Sequence, residues 1–268
     1  MTFFQIIIFS IVQGIAELFP ISSVAHGVLV PYVFGWSLSP EFLKHHFLAF
    51  VVMLHLGTSL AMFIYFWKDW MQIIRQLFGE DRRILMRLIA ATVPAGVIGV
   101  IFEQQISALF GDPFSASLFL VVNGFFLYFG EKFSTRGHKR IEELTIRQAF
   151  TVGLFQALAL IPGFSRSGSS MTAGFWVGLQ KEQAARFSML MATPIIAGAS
   201  LLELPKVVDS SHHLLENALL GGTLSGIIAF LSLFLLMRWF KQEKKQTMRP
   251  FAYYCWAVGG LILITFFI

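Results

Sequence analysis

The chain has 268 residues, of which 56% are hydrophobic and only 13% charged, with 30 phenylalanines and a mean hydropathy of +0.71. A water-soluble domain carries roughly 25% charged residues, so the composition excludes an ordinary soluble domain and points to a membrane protein. The net charge of +5 does not indicate nucleic acid, because the basic residues fall in short connections between apolar runs, and the single Cys255 excludes an internal disulfide.

The N-terminal residues lack a basic leader and a small-residue cleavage site, so no removable signal peptide is expected. The first informative stretch follows at once: Gln13-Gly-Ile-Ala-Glu17-Leu-Phe-Pro20-Ile-Ser22-Ser23-Val-Ala-His26. Proline, hydroxyls and an ionisable group interrupt a run that is otherwise apolar. Irregular backbone and charge at membrane depth are tolerated only where protein or a water-filled cavity satisfies them. Gln13 precedes Glu17 by one helical turn, so the two share a face and offer oxygens of the kind a hard cation prefers. Serine at a helix start can serve as a cap, and a hydroxyl near an imidazole is also the minimal nucleophile-and-base pair. Ser22, Ser23 and His26 leave both readings open.

Runs long enough to cross about 30 Å of hydrocarbon come next, at roughly Phe47–Trp67, Leu88–Phe110 and Phe114–Gly130. His55 and Asn123 within them are expected to make helix–helix hydrogen bonds. A second interruption follows at Pro162-Gly-Phe-Ser165-Arg166-Ser167-Gly168-Ser-Ser170, ahead of a helix expected over Met171–Leu179. Arginine suits a phosphate because its planar fork donates two parallel hydrogen bonds. A glycine-serine loop that feeds a helix N-terminus is a natural anion site. The simpler role for Arg166 is to pair with Glu17. Three more runs, Ala184–Leu204, Leu214–Phe240 and Phe251–Ile268, complete six predicted spans. The twin His45-His46 and His212-His213 are poorly spaced for zinc.

Fifteen of the 20 lysines and arginines lie in three connections, Lys68–Arg87, Glu131–Arg147 and Arg238–Arg249, whereas the opposite connections hold only Lys44 and Lys206. The positive-inside rule places the three basic connections in the cytoplasm. Ala149–Leu179 must then enter and return on that side, and residues 1–31 do the same from the outside. The predicted fold class is therefore an all-α polytopic membrane protein, with six transmembrane helices and two re-entrant broken-helix hairpins in an inverted-topology repeat. Residues 1–130 form the first repeat and 148–268 the second, inverted one. The echo between Ile11-Val-Gln13…Pro20-Ile-Ser22 and Leu154-Phe-Gln156…Pro162-Gly-Phe-Ser165 agrees with this arrangement.

Together the two interruptions resemble the signatures of the undecaprenyl-diphosphate phosphatase family of bacitracin resistance. One is glutamate-or-glutamine, three residues, glutamate, then Phe/Leu-Pro-x-Ser-Ser and a histidine, here Gln13 to His26. The other, Pro-Gly-x-Ser-Arg-Ser-Gly, stands intact over Pro162–Gly168. The resemblance spans nearly the whole chain. It implies removal of the terminal phosphate from a C55 polyprenyl diphosphate at the outer face of the bacterial inner membrane, which recycles the lipid carrier of cell-wall synthesis. It also implies a divalent cation, Mg²⁺ or Ca²⁺, and a homodimer. By resemblance Glu17 serves metal or acid-base work, Ser23 is the nucleophile, His26 transfers a proton and Arg166 holds the diphosphate. Gln13, Ser22, Ser165, Ser167, Gly168 and Ser170 surround the substrate. The chain departs from the family pattern at Val24-Ala25, in place of Thr-Gly, and at Ser169-Ser170, in place of Ala-Thr. The alternative from another class is a transporter or flippase of a polyprenyl phosphate lipid, which would use the same Arg166 without hydrolysis.

Overall fold

A computed structural model describes residues 1–36, 47–79, 81–102, 105, 111–134, 137–208, 212–242 and 246–268. His45-His46, Lys44, Arg136, Lys244 and Lys245 lie outside the described residues, as do the side chains of His212, His213 and Lys206. Eleven α-helices are described: α1 (Phe3–Ala16), α2 (Ser23–Val33), α3 (Phe47–Tyr65), α4 (Trp67–Phe78), α5 (Arg83–Ile101), α6 (Pro113–Lys132), α7 (Ile146–Gln156), α8 (Arg166–Trp176), α9 (Lys181–Val208), α10 (His212–Phe240) and α11 (Arg249–Ile264). A 3₁₀ turn over Ala157–Leu160 extends α7. An isolated bridge between Lys139 and Leu179 is the one β feature among the described residues.

Four helices are long and apolar enough to cross a membrane, α5, α6 and the apolar parts of α9 and α10, or five if α3 and α4 count as one bent span. This makes the chain a multi-pass membrane protein. The expected span Phe47–Trp67 is α3, but the basic connection after it is not a loop. The chain bends by 78° into α4, which buries Ile73 while Lys68 and Arg75 stay exposed. The run expected at Phe251–Ile268 is a helix of 16 residues that ends at Ile264.

Both interrupted segments are pairs of short helices, α1–α2 and α7–α8. Both pairs start with the same device. Thr2 accepts from the Gln5 N–H while the Gln5 side chain accepts from the Thr2 N–H, and Thr145 and Gln148 repeat this reciprocal cap. Small residues set the packing around them. A Cβ on Gly57 of α3 would lie 1.9 Å from the Gly222 carbonyl oxygen of α10, so glycine lets these two backbones touch. α6 lies along α11, α1 packs on α10, and α7 packs on α5.

The three basic connections gather at one end of the bundle. Arg87 donates to the Leu144 carbonyl. The buried carboxylate of Glu131 accepts from Lys181 and from the Thr247 and Met248 N–H groups, which caps the start of α11. Asp69 and Arg186 form a further ion pair there. At the opposite end Tyr32 of α2 hydrogen-bonds Thr265 at 2.9 Å and stacks on Phe266, whose ring meets Phe114 at the start of α6.

Candidate active site

The site arises where the two interrupted helix pairs face each other. α1 ends at Ala16, and a short irregular run leads to Ser22, the only non-glycine residue with positive φ (66°) among those described. Such backbone costs about 1–3 kcal/mol and persists only where the surroundings impose it. Here Ser22 caps α2 by accepting from the Ala25 N–H. In the second pair Gly163 takes φ 105°, and a Cβ there would meet Phe119 Cβ at 2.4 Å. Glycine alone fits this turn.

Asn123 ties the two breaks together. Its Nδ2 donates to the Pro20 carbonyl at 3.2 Å, and its Oδ1 accepts from the Ser165 N–H at 3.1 Å. Asn123 is fully buried at the middle of the 20-residue α6, which places it about 15 Å along the axis from either helix end. Ser167 adds a bond to the Phe19 carbonyl at 3.1 Å. Gly168 allows the close approach, since a Cβ there would lie 3.1 Å from Pro20 Cβ.

The brace presents Glu17 to Arg166. Arg166 Nη2 donates to Glu17 Oε1 at 2.6 Å, and Nη1 reaches the Ser188 carbonyl at 3.4 Å. The other carboxylate oxygen, Oε2, accepts from Ser23 Oγ at 2.7 Å and from Gln13 Nε2 at 3.1 Å. His55 Nε2 of α3 lies 3.5 Å from the same oxygen, and its Nδ1 is held by the Val51 carbonyl. Glu17 is thus a buried carboxylate ringed by four partners, as a charge in such a place requires.

Beside this cluster opens a cavity of about 550 Å³, and Glu17, Ser22, Ser23, His55, Ser165 and Arg166 line its polar part. Apart from Gln156, its remaining wall is apolar and comes mainly from α5 (Gly96, Gly99, Val100), α9 (Ala192, Ile195, Ile196) and the second break (Leu160, Phe164). Gly99 and Val100 close α5 at the end away from the basic connections, so the cavity runs from mid-depth toward that end. A phosphorylated headgroup matches the polar part, and a hydrocarbon tail matches the wall.

The sequence-predicted residues separate into three groups. Gln13, Glu17, Ser23 and Arg166 form one hydrogen-bonded cluster, and Ser22 and Ser165 line the cavity beside it. Ser167, Gly168 and Ser170 point elsewhere: the first two hold the breaks together, and Ser170 pairs with Ser188 at 2.6 Å. The expected loop before Met171 is helix from Arg166 onward, because Ser165 caps it by accepting from the Gly168 N–H at 3.1 Å. His26 does not meet Ser23. Its Nδ1 bonds the Ser22 carbonyl and its Nε2 the Tyr254 hydroxyl, each at 2.8 Å. His55, expected to be a helix–helix contact, is the imidazole at the carboxylate.

The donor set bears on a cation. Among the described residues no group of three or more His, Cys, Asp or Glu could hold a metal ion, and Glu17 is the single carboxylate of the cluster. A cage built from protein alone does not fit. A cation that keeps phosphate oxygens as ligands does fit, since magnesium is commonly held by one or two carboxylates and the substrate's phosphates.

Fold and site together define a multi-pass helical membrane protein with a buried acid–base–hydroxyl cluster at the junction of two broken helices. The family described as bacitracin resistance protein BacA matches residues 6–261, and the chain belongs to it. It is 53% identical over 262 residues to undecaprenyl-diphosphatase 2 of Oenococcus oeni, which covers 97% of each chain. It is 41% identical over 272 residues to undecaprenyl-diphosphatase of Acidiphilium cryptum, covering 96% of each. To undecaprenyl-diphosphatase 2 of Chromobacterium violaceum it is 42% identical over 271 residues, with 97% of each covered.

Proposed function

We propose that the chain hydrolyses undecaprenyl diphosphate to undecaprenyl phosphate and inorganic phosphate, and so recycles the lipid carrier of cell-wall synthesis. The observation that carries this reading is the Glu17–Arg166 pair with Ser23 at Glu17 Oε2, beside a cavity whose other wall is apolar. The relatives named above carry this activity in their names.

On entry the diphosphate competes with Glu17 for the Arg166 fork, and Arg166 then neutralises charge on the terminal phosphoryl group. Ser23 Oγ attacks the terminal phosphorus and passes its proton to Glu17 Oε2, which already accepts that hydroxyl. The bond from this phosphorus to the bridging oxygen breaks, and polyprenyl monophosphate leaves. Water then cleaves the phosphoserine to release phosphate. Glu17 would hold a divalent cation, Mg²⁺ or Ca²⁺, together with phosphate oxygens of the substrate, and the cation would supply further positive charge at the transferred phosphoryl group.

The proposed topology has six spans and two re-entrant hairpins in an inverted repeat, with both chain ends outside and the basic connections in the cytoplasm of a bacterial cell. Support comes from the meeting of all three basic connections at one end. It also comes from the reciprocal packing of α1 on α10 and α7 on α5. The cavity would then open sideways in the outer half of the inner membrane. A homodimer is part of this reading by family resemblance alone. Release of inorganic phosphate from undecaprenyl diphosphate by the purified protein in detergent tests the function.

A further inference from the structure

Gln156 is 2% exposed, lines the cavity, and has no hydrogen-bond partner among the described residues on either side-chain atom, Nε2 or Oε1. A buried amide left unsatisfied costs free energy, so one in a native structure calls for an explanation. The internal repeat supplies it. Thr2-x-x-Gln5 and Thr145-x-x-Gln148 start the two helix pairs with the same reciprocal cap. Gln13 and Gln156 each lie eleven residues beyond the capping threonine.

In the first pair the Gln13 amide donates to Glu17, four residues on. In the second pair the residue four positions on is Leu160, which offers no acceptor and itself lines the cavity. The first repeat thus gives its glutamine a built-in anion, and the second leaves the equivalent glutamine without one, in the wall that also holds Arg166 and Ser165.

We infer that Gln156 is a substrate-binding residue whose amide donates to a phosphate oxygen of the bound lipid diphosphate. This rests on the diphosphatase reading above. The amide would then act with the Arg166 fork, one supplying charge and the other a neutral, directional donor.

The test uses purified full-length Gln156→Leu and Gln156→Glu proteins with two readouts. One is turnover of undecaprenyl diphosphate, and the other is the thermal shift induced by farnesyl diphosphate in detergent. Because the amide has no partner to lose among the described residues, Gln156→Leu should melt at or above the wild-type temperature without ligand. Its KM should rise about tenfold or more, the loss of one hydrogen bond to a charged group, while kcat changes far less. Its thermal shift should shrink, and Gln156→Glu, which faces the diphosphate with a like charge, should bind more weakly still. Unchanged KM and thermal shift in both variants would overturn the inference. A lowered melting temperature with normal KM would do the same, since the amide would then have a structural role. If the wild type binds farnesyl diphosphate but hydrolyses nothing, the function reading fails and the thermal shift alone still decides the place of Gln156.

Discussion

Glu17 and Arg166 are 149 positions apart and meet at 2.6 Å inside the bundle, each from a different broken helix. The pair has two consequences. It keeps a buried carboxylate and a partly buried cation compatible with low dielectric, and it holds the cation at the cavity wall, within reach of an anionic headgroup. Removing one member of a buried pair typically destabilises by about 3–5 kcal/mol, since the other is left uncompensated.

Arg166→Ala is therefore expected to abolish turnover and also to lower the melting temperature in detergent. Arg166→Lys keeps the charge but loses the fork, and should retain only a small residue of activity at a melting temperature near the wild type. Phosphate release measured beside thermal stability separates the two effects. Near-wild-type turnover by Arg166→Lys would reduce Arg166 to a structural partner of Glu17.

Glu17→Gln is expected to reduce turnover at least about a hundredfold, the scale seen when one charged transition-state contact is lost. Chelation should inactivate the wild type, with added magnesium or calcium restoring it. Full turnover by Glu17→Gln in chelator would refute both the acid-base and the cation role of this carboxylate.

Ser23→Ala should be as inactive as Glu17→Gln yet still bind a lipid diphosphate, because binding rests on Arg166. Trapping a phosphorylated protein with wild type and not with Ser23→Ala would support covalent attack. Substantial turnover by Ser23→Ala would assign the attack to water, with the hydroxyl reduced to a hydrogen-bond donor.

The two histidines provide a contrast. His55 approaches Glu17, whereas His26 is bonded to Tyr254 and a carbonyl. His55→Leu should lower kcat by more than Tyr254→Phe does, and equal effects in a side-by-side turnover assay would argue against a role for His55 at the carboxylate.

Much of the architecture was legible because membrane insertion writes it into the sequence. Charge in short connections set the spans apart, and Pro20 and Pro162-Gly163 marked the two breaks. The Gln13–Glu17 face and the Glu17–Arg166 pair were legible too, since each group stood in an apolar run where it needed a partner, whereas the spacing of Ser23 points to His26 and its hydroxyl meets Glu17 instead. The partner choices were not legible. Asn123 bridges breaks about a hundred residues away in one direction and forty in the other, and a lone asparagine in a span gives no sign of which carbonyl it will meet. His55 had the same ambiguity, and nothing local tells that Tyr254 takes His26. The bend between α3 and α4 was hidden because the basic residues of Lys68–Arg87 read as a plain loop, although Ile73 among them is buried.

The most direct test of the account is to supply undecaprenyl diphosphate labelled in its terminal phosphate to wild type and Arg166→Ala, both reconstituted in vesicles. Wild type should release the label as inorganic phosphate together with an equal amount of undecaprenyl phosphate, and Arg166→Ala should release neither. Label that remains on the lipid while the lipid crosses the bilayer would contradict hydrolysis and establish a transporter.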